Sequence, residues 1–174
     1  SRAIFPNGDG SPYYSCEMKT RDTVYVGNTR IYKSTNRGSS WTQLFSPENA
    51  PYNYGGAGHY ASSIAIGGFS EEIVMAGFRF ENSTTDKGGL FYSLDYGNTW
   101  NQLLISSASI GKDVNVNDVE LTIDSGQVVA YIGVDYDNSK SPIVRGMYKA
   151  KLSGTTWTVT FEDVYGAATS LYSI

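Results

Sequence analysis

One cysteine and one histidine stand in 174 residues. Cys16, being alone, can close no disulfide within the chain, so the redox compartment stays open. It sits in a β-prone run and reads as a packed strand residue. His59, also alone, suits a binding loop or a structural hydrogen bond better than a general base. Charge is sparse too, 13 Lys and Arg against 17 Asp and Glu, a net −4. No Lys/Arg run exists to displace counterions from a phosphate backbone, which argues against nucleic acid as a partner. The longest apolar runs, such as VVAYIGV, are far too short to span a bilayer. GGAG at 55–58 lacks the Lys-Ser/Thr of a phosphate loop. DYDN at 135–138 lacks the glycine and distal glutamate of a calcium hand. No metal site and no cofactor is assigned. The chain opens on Ser1 with no signal peptide in view, which reads as processing or as a piece of a longer protein.

Tyrosine and glycine are abundant instead, 14 and 19 residues, with much Ser, Thr and Asn. That mixture suits short strands, polar turns and secreted or surface-exposed proteins. The three tryptophans, Trp41, Trp100 and Trp157, recur with a period of about 58 residues, and such self-similarity governs the fold. Ahead of each lies an apolar run closed by glycine: TVYVGN, IVMAGF and VAYIGV, with Gly27, Gly77 and Gly133. Before those come YYSCEM, SSIAIG and DVELTI; after each tryptophan comes WTQLF, WNQLL or WTVTFEDV. Each repeat thus reads as four short strands, and no window of helical period with cap signals interrupts them. The prediction is an all-β chain of three four-stranded antiparallel propeller blades, at about 11–46, 60–105 and 116–164, with a further blade beginning at 168–174. A twelve-strand sandwich would explain the strands but not the periodic tryptophans.

The turn before each tryptophan has its own mechanics. In STNRGSSW and SLDYGNTW, Asn36 or Asp95 can accept backbone N–H groups of the turn. Gly38 and Gly97 can supply a positive φ. Ser34 or Ser93 can add a local bond, and Trp41 or Trp100 can plug the space between strands. The third copy, AKLSGTTW, keeps Gly154 and Trp157 but has Ala150 and Leu152, so its turn should be less tightly tied.

These stretches resemble the Asp-box (BNR) repeat, Ser/Thr-x-Asp-x-Gly-x-x-Trp, of sialidases, sortilin-type receptors, xyloglucanases and photosystem assembly factors. The second copy matches fully and the first has Asn for Asp. The resemblance implies a β-propeller in which the box is structural. It also implies what an enzyme of the family would need. A sialidase needs an arginine triad, which the six arginines here do not let us place. A xyloglucanase-like hydrolase needs two carboxylates across a cleft, for which Asp118 and Asp135 are the candidates.

Strand order divides the loops between two faces. The turns between strands one and two and the box turns are short. The connections at 46–60, 79–89, 106–117 and 135–146 are long and leave from the opposite face, where binding residues are expected. Tyr54, His59, Tyr60, Arg79, Asp118, Tyr136 and Arg145 are the candidate binding residues, a mixture suited to sugar rings and polar peptide loops. Three blades do not close a ring, so further blades of the chain or a homo-oligomer partner should complete it, covering an apolar side face. The expected function is a non-catalytic glycan- or protein-binding propeller, extracellular or at the cell surface. Part of a glycoside hydrolase is the alternative, and an architectural module of a surface or viral assembly a further one.

Overall fold

The computed structural model of the chain describes residues 12–55, 58–80, 88–104, 114–137 and 144–162, with backbone alone at 136, 137, 144 and 145. Twelve strands form three antiparallel sheets of four in chain order. The first holds β1 (Ser15–Met18), β2 (Val24–Gly27), β3 (Ile31–Ser34) and β4 (Thr42–Phe45). The second holds β5 (His59–Gly67), β6 (Ile73–Phe80), β7 (Gly89–Ser93) and β8 (Asn101–Leu103). The third holds β9 (Val116–Asp124), β10 (Gln127–Asp137), β11 (Val144–Ser153) and β12 (Thr156–Glu162). No helix occurs among the described residues. The opening strand β5 lies against β1 on one side and β9 on the other, so the first strands of the three sheets gather along one inner edge. This is the blade architecture of a β-propeller.

Two cores separate the sheets. Tyr25, Ile31 and Phe45 of the first sheet meet Ala61, Ile64, Val74, Phe78 and Phe91 of the second. Met75, Leu90 and Leu103 of the second meet Val119, Ala130, Ile132, Tyr148 and Trp157 of the third. Strand β6 serves both, with Val74, Ala76 and Phe78 turned one way and Met75 and Gly77 the other. That double duty explains its unbroken apolar run, since alternation is lost when both faces of a strand are buried.

The first two hairpins are tied by their own side chains. The Ser34 hydroxyl accepts from the Gly38 N–H (2.8 Å) while Asn36 Oδ1 accepts from the Ser40 N–H (2.9 Å). Ser93 and Asp95 repeat this on Gly97 and Thr99, both at 2.8 Å. Gly38 and Gly97 have φ of 79° and 91°, as the motif requires. Arg37 and Tyr96, one residue earlier, are also left-handed, at 59° and 63°, which the sequence does not signal. Their N–H groups donate to Asp22 O (3.1 Å) and Glu72 O (2.8 Å), bonds that hold an uncommon backbone in place.

Each later tryptophan fastens its sheet to the preceding one. Trp100 stacks on Phe45 with centroids 4.9 Å apart, and Trp157 meets Tyr92 edge-on at 6.0 Å. The third hairpin differs from expectation. Rather than a looser copy of the others, it is a regular ladder in which Leu152 pairs with Trp157 and Ser153 with Thr156. With no carboxylate or amide at position 152 to hold a loop open, backbone pairing continues to the turn. Trp157 Nε1 is buried without a hydrogen-bond partner, whereas Trp100 Nε1 donates to Gly97 O at 2.9 Å.

Asp95 makes the second hairpin sensitive to acid. Burial pushes its carboxyl up, but hydrogen bonds from Ser93, Thr99 and Asn98 outweigh this and hold it below the usual aspartate range. A pKa depressed by folding means stability that is present above the unfolded value, near 4, and lost as pH falls through the folded one. Thermal melts between about pH 5 and pH 2 should therefore show a smaller acid loss in Asp95→Asn than in the native chain. An equal loss in both would contradict the assignment. Asp95→Ala should cost about 0.5–2 kcal/mol at neutral pH, as loss of a local cap does.

Candidate functional site

Strand direction brings the starts of β1, β5 and β9 and the ends of β6 and β10 to one end of the inner edge. This is the end from which the long connections leave. Side chains from all three sheets meet there. Arg79, on β6, pairs across the ladder with Tyr60 on β5. Its Nε donates to the Tyr60 hydroxyl at 3.1 Å, and its Nη2 to Asp135 Oδ2 at 2.7 Å. Asp135 Oδ1 accepts from Asn117 Nδ2 at 3.1 Å. Tyr14, from the start of the first sheet, lays its ring on Tyr60 with centroids 4.4 Å apart. Arg79 and Asp135 are each about one-fifth exposed, so the pair is sheltered but open to a ligand. Tyr14 is nearly half exposed. The cluster offers two aromatic faces, a guanidinium and a fixed carboxylate over a short distance.

The expected residues divide. Tyr60, Arg79 and Asp135 come together. Asp118 lies one residue further along β9 and accepts from the Ser63 hydroxyl at 2.6 Å, a bond between the inner strands of the second and third sheets. Tyr54 and His59 are not surface binding residues. Tyr54 is buried and donates its hydroxyl to Gly88 O; His59 is buried, shares a hydrogen bond with Thr29 O at 3.0 Å, and packs edge-on against Tyr54. The physical reason is register. His59 opens β5 on the same face as Ala61, so its ring enters the core, and HYASSIAI read as one alternating strand would have placed it there. The side chains of Tyr136 and Arg145 lie outside the described residues, as do most of the long connections. Cys16 is another correction: it is exposed, because β1 is an edge strand and turns Cys16 and Met18 away from the second sheet.

Two carboxylates on the inner strands escaped the sequence reading. Glu17 on β1 is pushed above the usual range by burial and by the charge of Glu120; Glu120 on β9 is pushed up by burial and by Asp118. Like charges on the inner strands β1 and β9, which flank β5, are a property of the assembled sheets, and only an alignment of the three repeats side by side could have hinted at it. No group of three metal-ligating side chains is placed to hold an ion among the described residues. No helix there is long and apolar enough to cross a membrane. At the opposite end, where the third hairpin lacks its loop, a cavity of about 430 Å³ opens between Phe69, Val128 and Leu152.

No protein-family profile matches the sequence, and no curated protein does. Similarity is found in folded structure. The chain resembles YCF48 bound to D1 peptide, with TM-score 0.54 and 11% identity over 90% of this chain and 42% of that one. It resembles YCF48 from Cyanidioschyzon merolae, with TM-score 0.52 and 13% identity over 88% and 41%. It also resembles the K499G mutant of NanB sialidase from Streptococcus pneumoniae, with TM-score 0.52 and 13% identity over 91% and 24%. The chain spans less than half the length of each. At such identities the likeness is one of fold, and it places the chain among the β-propellers.

Proposed function

We propose that the chain is a non-catalytic binding module of an Asp-box β-propeller, working outside the cell or at its surface. It takes a polypeptide loop or a glycan at the end of the inner edge where Tyr14, Tyr60, Arg79 and Asp135 meet. The observation that carries this reading is the cross-sheet network itself. Both oxygens of Asp135 are engaged by Arg79 and Asn117, which suits a rigid recognition surface better than proton transfer. Aromatic and guanidinium groups on such a surface are the usual anchors of binding. YCF48 has been seen with a D1 peptide, and a peptide ligand is carried to this chain as part of the proposal. Further blades, from the same chain or a second copy, complete the ring.

Peptide and glycan arrays followed by titration test it. Tyr60→Ala should weaken the captured ligand about 30-fold, the equivalent of about 2 kcal/mol for a central anchor. Arg37→Ala, Ser39→Ala and Tyr96→Ala, on the box turns, should leave affinity unchanged. Contacts mapped to those turns or to the cavity beside Phe69 would move the site to the other end.

One observation favours a second reading as a glycoside hydrolase: Glu17 and Glu120 are carboxyls shifted towards the protonated form on strands that line the inner edge, with Asp118 nearby. A general acid requires such a shift. Turnover of a glycoside that is lost in both Glu120→Gln and Asp118→Asn would favour this reading over binding alone.

A further inference from the structure

One pair of positions recurs in the same register on all three sheets. Tyr25 on β2 pairs with Lys33 on β3, Met75 on β6 with Tyr92 on β7, and Tyr131 on β10 with Lys149 on β11. The first member always lies two residues before the recurring glycine, Gly27, Gly77 or Gly133. Tyr25 is turned toward the second sheet and Met75 toward the third. Tyr131 alternates with Ala130 and Ile132, which face the second sheet, so it lies on the outer face of the third.

What the pair does depends on the hairpin that meets it. Tyr25 and Lys33 hold the box turn of the second sheet by its backbone. The Tyr25 hydroxyl donates to Tyr96 O at 3.2 Å, and Lys33 Nζ donates to the same oxygen at 3.4 Å. Lys33 Nζ stands 5.2 Å from the centroid of the Tyr25 ring, a cation–π contact that sets the two donors side by side. Met75 has no hydrogen to donate and Tyr92 packs against Trp157. The hairpin that meets these two has no box loop. Donor pair and box turn are present together or absent together.

On the third sheet the donor pair returns. Lys149 Nζ stands 5.3 Å from the Tyr131 centroid, yet among the described residues neither side chain donates to a backbone oxygen of another sheet. The matching acceptor is at the other end of the chain. Arg37 is the left-handed residue before Gly38, as Tyr96 is before Gly97. Its N–H is held by Asp22 O, as that of Tyr96 is by Glu72 O. Its side chain is more than half exposed, and among the described residues its carbonyl accepts no hydrogen bond.

We propose that Tyr131 and Lys149 receive the first box turn of a second copy of this chain, with Arg37 O in the place of Tyr96 O. This rests on the reading that a second copy completes the ring, and it does not involve the ligand end. Charge favours this occupant. The Tyr96 ring lies 4.3 Å from Lys19 Nζ; Arg37 in its place brings a guanidinium instead. The third sheet sets a carboxylate beside its donor pair, with Asp124 Oδ2 3.4 Å from Lys149 Nζ and about half exposed. A cation that suits a ring thus gives way to an anion that suits an arginine. Two copies of three sheets, joined head to tail, lie within the range of closed propellers, and the contact is then made twice.

Sedimentation equilibrium of the 174-residue chain tests this. A dimer should form, and Asp124→Arg, which sets like charges against Arg37, should raise its dissociation constant at least about tenfold. Adding Arg37→Asp should recover most of that loss, since opposite charges face each other again. Within one chain the two positions lie on the first and third sheets with the second between them, so such rescue reports a contact between copies. Lys149→Met should weaken the dimer as well, and it supplies the test should Asp124→Arg fail to fold. A chain that stays monomeric at every concentration, or a dimer unchanged by Asp124→Arg and Lys149→Met, would overturn the proposal. Ligand capture by such a monomer, lost in Tyr60→Ala, would leave the binding end standing, so the two readings fail separately.

Discussion

Phe91→Ala is expected to destabilise the chain by about 3–5 kcal/mol, the range for deleting a fully buried aromatic ring. Phe91 is inaccessible to solvent. Its ring touches Phe45 of the first sheet, Tyr52 and Tyr54 of the connection that follows it, and Phe78 of its own sheet, with centroids 4.8–6.1 Å away. One ring thus joins two sheets and the segment between them, and no neighbour can move into the hole without leaving another contact. Denaturant unfolding should show the fall as a lower midpoint. A loss below about 1 kcal/mol would mean that the connection carrying Tyr52 and Tyr54 is not packed as described.

Arg79→Met should be the most damaging single change at the proposed binding end. It keeps a long side chain but leaves the Asp135 carboxylate, only about one-fifth exposed, with Asn117 as its neutral partner. Breaking a fully buried pair costs about 3–5 kcal/mol; discounted for the partial exposure of this one, about 1–3 kcal/mol is expected. Adding Asp135→Leu should recover much of the stability, because the stranded charge is then gone. Binding should be lost in both variants. If Asp135→Leu worsened the stability of Arg79→Met, the carboxylate would owe its position to something other than the guanidinium.

Much of the fold was legible because the repeat fixes it three times over. The runs closed by Gly27, Gly77 and Gly133 became the second strands, and the stretches after each tryptophan the fourth. Ser34, Asn36 and Gly38, with their counterparts Ser93, Asp95 and Gly97, took the roles their chemistry indicated. The site was legible only in part. Tyr60, Arg79 and Asp135, singled out for flanking long connections, come together in one cluster. His59 and Tyr54 were misplaced because position beside a loop says nothing of which way a side chain turns, and register decided that. Glu17 and Glu120 were missed because their proximity arises between sheets, where no local pattern reports it. The third hairpin showed the limit of the motif: Leu152 removed the group that holds the loop, and the strands closed up.

The tryptophan contacts also set an order of assembly. The indole that stacks on Phe45 belongs to the last hairpin of the following sheet. A growing chain must add nearly the whole second sheet before Trp100 can reach its partner. At about 5–20 residues per second, Phe45 waits roughly 3–10 s for that ring. The first sheet is therefore completed by the second and the second by the third, so a nascent chain always carries one unfinished junction at its leading end, and that junction is where a chaperone would find apolar surface to hold.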